Sequence, residues 1–251
     1  MLNHKIYGQG DPIIILHGLF GMLDNWQSIA KKLMEDYMVI LVDQRDHGKS
    51  EHTDAFNYQL LADDLASFME ENWIHEAIVV GHSMGGKTAM QFAASYPDMV
   101  EKLVVVDIGP KAYKPGHEVI FKALNAVPID MLESRKEAEE ILSEYISDKG
   151  VRLFLMKNLQ RKKEGGFRWK MNLPLIESSY DNILSSIIPS ETVDVETLFL
   201  YGTKSKYIVE EDIEGIKDSF INAEFTAIEA GHWIHAERPG ELLNAVKEFL
   251  G

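Results

Sequence analysis

Apolar residues fall along this chain in short continuous runs, each closed by a turn or a polar signal. The runs are Ile13–Leu16, Met38–Val42, Ala77–Val80, Leu103–Val106 and Leu198–Tyr201. They do not alternate with polar residues, and Val and Ile are prominent in them. Strands buried on both faces of a parallel sheet read this way. Phe225–Glu229 is a weaker sixth strand. Between the runs the period changes. Trp26–Met34, Tyr58–Asn72, Lys87–Tyr96 and Leu242–Leu250 have helical patterns, and Tyr58–Asn72 places Leu61, Leu65, Phe68 and Met69 on one face. Strands alternating with helices predict a doubly wound, mostly parallel α/β sheet.

The alternation stops between about Pro110 and Thr192, where no Val/Ile run occurs. Amphipathic segments stand there instead: Glu118–Ala126, Ser134–Ile146, Val151–Leu159 and Leu175–Ile187. Ser134-Arg-Lys-Glu137 forms a capping-box pattern for the second. The expected organisation is a core of residues 1–109 and 193–251, interrupted by a helical cap of residues 110–192. Phe121, Leu124, Val151, Phe154, Leu155 and Met156 are apolar at helical spacings. Some of these are expected to pack on the core and the others to line an acyl pocket whose depth sets chain-length preference.

Composition narrows the function. The 251 residues are 45% hydrophobic and 26% charged, which excludes a disordered chain. A formal charge of -15 disfavours nucleic acid and anionic membranes as partners. The absence of cysteine excludes disulfides, thiolate metal sites and a cysteine nucleophile. The first ten residues lack the apolar stretch of a secretory signal, and no run approaches the ~18 apolar residues of a membrane span. A cytoplasmic protein is therefore expected.

Gly81-His-Ser-Met-Gly85 lies directly after one predicted strand and directly before a predicted helix. The G-x-S-x-G spacing alone is weak evidence. The strand–motif–helix context is what a nucleophile elbow demands, because glycines flanking the serine let helix and strand pass closely. Serine needs a base, usually a histidine oriented by a carboxylate. Of nine histidines, His232 follows the last predicted strand and is the best candidate. His17 and His82, at strand ends, are expected to shape the site. His4, His52, His75 and His117 lie in polar contexts and are expected in solvent. His235 is expected to hydrogen-bond at a helix start.

The acid is less obvious. The segment after Leu198–Tyr201 reads Gly202-Thr-Lys-Ser-Lys-Tyr-Ile-Val209 and has no carboxylate before Glu210, with Ser205 where an aspartate is expected. The preceding strand ends in Asp107. Strand-end groups at the carboxyl edge of such a sheet face one crevice, so Asp107 is assigned as the acid. Glu210 is its rival, but it reads better as the acidic first turn of a helix. Backbone N–H groups of Leu19, in His17-Gly-Leu-Phe-Gly21, and of Met84 are the candidate oxyanion donors. The substrate pocket is expected to include Phe20, Phe121, Leu124, Phe154, Leu155 and Trp233. Asp43 and Arg45 are expected to brace their loop. Lys87 lies one position too far from Ser83 for a Ser-x-x-Lys pair, and no dinucleotide fingerprint, P-loop or His-Glu-x-x-His is present.

Together, His17–Gly21, Asp43–Ser50, Gly81–Lys87, Val106–Pro110 and Gly231–Glu237 resemble the α/β-hydrolases, and among them closely the small bacterial serine esterases of the YbfF type. Asp46 departs from the pattern, since relatives more often carry Asn or Gly. The resemblance implies a serine carboxylesterase acting on short- to medium-chain acyl esters through an acyl-enzyme, with no cofactor or metal. A small-molecule acyl ester is then the only partner implied. Two alternatives remain. One is an acyl-CoA thioesterase, with Arg161, Lys162, Lys163 and Arg168 as a basic rim. The other is a non-enzymatic ligand-binding module on the same fold.

Overall fold

The apolar runs become strands of one sheet in a computed structural model that describes residues 2–251. Among the described residues the strands are β1 His4–Tyr7, β2 Pro12–Leu16, β3 Met38–Val42, β4 Ala77–His82, β5 Val100–Val106, β6 Leu159–Arg161, β7 Phe167–Trp169, β8 Thr197–Gly202 and β9 Ala223–Ile228. The main sheet has the order β1-β3-β2-β4-β5-β8-β9 and is parallel except for β1. β6 and β7 form a separate antiparallel hairpin.

Helices α1 (Gln27–Leu33), α2 (Tyr58–Glu71) and α3 (Met84–Ser95) follow β2, β3 and β4 in turn. Between β5 and β8 lie α4 (Glu118–Ala126), α5 (Arg135–Tyr145), α6 (Lys149–Met156), α7 (Leu173–Ser178) and α8 (Tyr180–Leu184). The chain closes with α9 (Ile213–Ser219), α10 (Ile234–Glu237) and α11 (Pro239–Leu250). Strand side chains divide between two cores, as the two-residue period requires. Ile13, Ile15, Ile78, Val80, Val104 and Val106 pack toward α1 and α11, against Ile29, Leu33, Leu242 and Val246. Ile14, Leu16, Val79, Leu103 and Val105 pack toward α2 and α3, against Leu61, Leu65, Ala89 and Phe92. Burial on both faces is why these runs are unbroken by polar residues.

After β2 the chain moves outward to β3, and after β4 it moves the opposite way to β5. The strand order therefore reverses between the carboxyl ends of β2 and β4, where such sheets open a crevice. The segment between β5 and β8 is tied to the core by buried polar contacts. The Lys87 ammonium donates to the carbonyls of Lys111 (2.9 Å) and Ser185, near the two ends of that segment. Asp46 accepts from Thr53 N (2.7 Å) and from the Asn172 side chain (2.9 Å), and its carbonyl accepts from Asn172 N (2.8 Å). Asp46 has φ 62, which explains why Asn or Gly suits the position too.

Several elements differ from the sequence reading. β1 was not predicted: it is a four-residue edge strand with only intermediate and exposed positions, so it lacks an apolar run. α3 begins at Met84, three residues earlier than the apolar pattern, because Gly85 and Gly86 carry no periodic signal. The segment before β8 is not wholly helical. Leu159 belongs to the β6–β7 hairpin rather than to α6, and Leu175–Ile187 breaks at Ser179 into α7 and α8. Ser134 caps α5 by accepting from Glu137 N (3.1 Å). The Glu137 carboxylate accepts from Glu133 N (2.9 Å) instead of Ser134, so the box is only half formed. No helix among the described residues is long and apolar enough to cross a membrane.

Candidate active site

Ser83 sits between β4 and α3 with φ 53 and ψ -120, a conformation that L residues avoid. Its N–H donates to Val106 O (3.0 Å) and its carbonyl accepts from Lys87 N (3.1 Å), which hold the turn from both sides. A Cβ on Gly81 would strike the backbone of Gly85 and Gly86, and one on Gly85 would strike the carbonyls of Leu16 and His17. Strand and helix therefore approach closer than any side chain permits.

Asp107 follows β5, is fully buried and also has positive φ, 51. Its Oδ1 accepts from Gly202 N (2.8 Å), and its Oδ2 from Ser205 Oγ (2.5 Å) and from His232 Nδ1 (2.7 Å). His232 is further held by Tyr207, stacked on its ring at 4.1 Å, and by His82, whose Nε2 bonds the His232 carbonyl (2.9 Å). His232 and Ser83 face one cavity, with no hydrogen bond between them among the described residues. Glu210 is exposed and opens the short turn leading into α9.

The His17–Gly21 loop closes beside the elbow. His17 is buried, donates from Nδ1 to Gly18 O (2.8 Å) and accepts at Nε2 from Gln44 N (3.1 Å). Burial lowers its pKa to about 4, so it stays neutral. Phe20 has φ 59. Its carbonyl accepts from the side chain of Asn158 (2.7 Å), a fully buried residue just beyond α6. No acceptor takes the Leu19 or Met84 amide among the described residues, so both donors are available to a ligand. Asp43 accepts from Asn3 Nδ2, Leu23 N and Lys49 N, while Arg45 makes a two-pronged pair with Asp64 at 2.6 and 2.8 Å. Both brace the loop.

Two cavities meet at Leu19, Ser83 and His117. One, about 420 Å³, is lined by Tyr58, Tyr113, Tyr180, Tyr207, Ile108 and three lysines, and Met84 also borders it. The other, about 450 Å³, is lined by Phe20, Ile120, Val151, Phe154, Leu155 and Trp233, with His232 at its edge. Phe121 and Leu124, expected in the pocket, line neither. Leu124 is wholly core, and Phe121 stands behind Phe20, edge-on at 5.4 Å. Helical spacing marks an apolar face but not which part of it meets a void. His117, expected in solvent, borders both cavities and bonds Tyr180 Oη (2.6 Å). His235 makes no cap: it is half-buried, stacked on Trp26 at 4.6 Å, and its buried Nδ1 has no partner among the described residues. The basic residues Arg161, Lys162, Lys163 and Arg168 lie on the β6–β7 hairpin and line neither cavity. Ser205, Tyr207 and Asn158 are the site residues that the sequence did not assign. Only Ser205 had a signal, its place where an acid is expected.

A doubly wound sheet with a serine elbow, a strand-end aspartate and a histidine on one crevice defines the α/β-hydrolase class. The alpha/beta hydrolase fold family profile matches residues 11–142. The chain is 36% identical over 242 residues to the esterase YbfF of Escherichia coli, spanning 95% of this chain and 92% of that protein. It is 38% identical over 262 residues to the sn-1-specific diacylglycerol lipase ABHD11 of Danio rerio, spanning 99% and 82%. A solved marine microorganism esterase superposes with a TM-score of 0.97 at 43% identity, covering 99% of this chain and 98% of that one. The chain belongs to the alpha/beta hydrolase fold family. Within it, the chain is a serine hydrolase of esters.

Proposed function

We propose that this chain is a carboxylesterase in which Ser83, His232 and Asp107 form the catalytic triad, and that it cleaves short- to medium-chain acyl esters through an acyl-enzyme. The hydrogen bond from His232 Nδ1 to the buried Asp107 (2.7 Å) carries this reading. It fixes the imidazole tautomer with Nε2 free to take a proton from Ser83, which the elbow presents to the same cavity. Ser83 attacks the ester carbonyl. The carbonyl oxygen gains charge and is met by the N–H groups of Leu19 and Met84. His232 then returns its proton to the leaving alcohol, and water activated by His232 releases the acid.

The segment between β5 and β8 acts as the cap, and its helices wall both cavities. The leaving oxygen must reach His232, which borders the Phe154–Trp233 cavity, so that cavity takes the alcohol half. The acyl half then extends into the tyrosine-lined cavity beside Met84. This differs from the sequence expectation that Phe154 and Leu155 contact the acyl chain. Labelling with a fluorophosphonate, followed by peptide mapping, tests the reading: the adduct should fall on Ser83 and vanish in Ser83→Ala together with ester turnover. A labelled residue other than Ser83 refutes it, and failure to label favours a ligand-binding module.

A further inference from the structure

The chain carries 40 acidic and 25 basic side chains, yet among the described residues no carboxylate lines either cavity at Ser83. Other hollows of the surface follow the composition. One holds Glu51, Asp64 and Glu71, and another Glu118 and Glu177. The tyrosine-lined cavity reverses the sign, with Lys87, Lys114 and Lys206. Lys114 and Lys206 are exposed and stand at its mouth, whereas Lys87 is 1% exposed and lies at its floor, one helical turn from Ser83. None of the three has a carboxylate partner among the described residues, although the neighbouring Lys111 is paired with Asp212 at 2.5 Å.

Lys87 is the unusual member. Its ammonium sits 4.8 Å from the Tyr113 ring centre and 5.7 Å from that of Tyr58, both in the cavity wall. Two of its protons go to the Lys111 and Ser185 carbonyls. Among the described residues the third meets only Leu184 O, at 3.5 Å. A buried cation without a counter-ion is costly, and an anion brought beside it recovers that cost. Burial alone lowers the Lys87 pKa to about 7. A concave, low-dielectric wall bearing one sign of charge also concentrates ligands of the opposite sign, here against a protein field that otherwise repels them.

We propose that this cavity receives a carboxylate carried by the acyl half of the substrate, so that hemiesters of short dicarboxylic acids are preferred over neutral esters. The reaction is unchanged: the carboxylate is spectator and anchor. This inference rests on the ester-cleaving reading of Ser83 and on the placing of the acyl half given above.

The test compares kcat/KM for the mono-p-nitrophenyl ester of glutaric acid with that of its neutral isostere, in which an isopropyl group replaces the carboxylate. The wild-type protein should favour the hemiester at low salt, and added salt should narrow the preference. The double variant Lys114→Glu/Lys206→Glu should lower the hemiester-to-neutral ratio by about tenfold or more, since like charges then face the anchor. A control of equal charge change, Lys32→Glu/Lys163→Glu, lies away from the cavity and should keep the wild-type ratio. A wild-type preference for the neutral ester, an unchanged ratio in the first variant, or an equal fall in the control each overturns the proposal. Turnover of the neutral ester without anion preference sinks this inference alone. Absence of turnover on either ester, with no label on Ser83, sinks the triad reading beneath it.

Discussion

Asp107 accepts three hydrogen bonds, from Gly202 N, Ser205 Oγ and His232 Nδ1. A buried carboxylate so engaged cannot turn, so it holds the imidazole in one orientation. Asp107→Asn should keep the fold and lower kcat by about 10³ or more, as loss of the orienting acid does in related triads. Glu210→Gln should leave kcat nearly unchanged, and a crippled Glu210 variant would refute the assignment. Asn158 makes a subtler prediction. It reaches from beyond α6 to the carbonyl of Phe20, the residue after the proposed oxyanion donor Leu19, and so helps hold that loop in place. Asn158→Asp replaces the donor by an acceptor, so the loop should turn away. Because a lost oxyanion donor costs about 10²–10³ in kcat, the variant should lose up to that factor with KM little changed. Binding of a boronate, which mimics the tetrahedral adduct, should weaken in step. A KM effect alone would make Asn158 a residue of the binding wall. At this scale Ser83, Asp107 and His232 were legible because each ends or follows an apolar run. Asn158, Tyr207 and His117 were not, since each joins the site through contacts with residues far away in sequence.

Elements were legible in proportion to their burial. β2 through β5 and β8 bury nearly every side chain, and their apolar runs marked them. β1 and the β6–β7 hairpin bury little, so nothing marked them. The same limit applies to the helices between β5 and β8. Their apolar faces were visible, but the division of each face between core and cavity depends on packing. That division is testable. Phe154→Ala and Trp233→Ala enlarge the apolar cavity, so across acetate esters of lengthening alcohols the preferred length should rise by one or more carbons. Phe121→Ala and Leu124→Ala should leave that preference alone and lose about 2–5 kcal/mol of stability, the usual cost of emptying a core position. A length shift in the Leu124 variant would contradict the packing.

At the scale of the whole molecule, histidines withdrawn from water link the fold to pH. Burial lowers the pKa of both His17 and His235 to about 4. The folded value lies below the unfolded value of about 6.5. The unfolded chain therefore binds more protons between the two, and stability present above pH ~6.5 is lost as pH falls toward ~4. Each histidine should cost on the order of 2 kcal/mol by pH ~5. Tm should fall steeply across that window. His235→Phe should flatten the fall by one histidine's share while keeping the stack on Trp26, because the lost Nδ1 had no partner. An unchanged slope in the variant would remove His235 from the account.

Among the described residues the two cavities share only Leu19, Ser83 and His117. On the placing of the two halves proposed above, the alcohol can depart through its own chamber once its bond breaks, while the acyl group stays in the other. The vacated chamber presents Phe20, Phe154 and Trp233 beside His232, so a second alcohol entering it is better accommodated than in an open, water-filled cleft. Hydrolysis then competes with exchange. With butanol added, the proposed acyl-enzyme should partition toward the butyl ester, in a yield that rises with butanol concentration and is measurable by gas chromatography. Trp233→Ala, which loosens that chamber and admits water, should shift the partition back toward free acid. A partition indifferent to both would mean that the alcohol leaves and enters elsewhere.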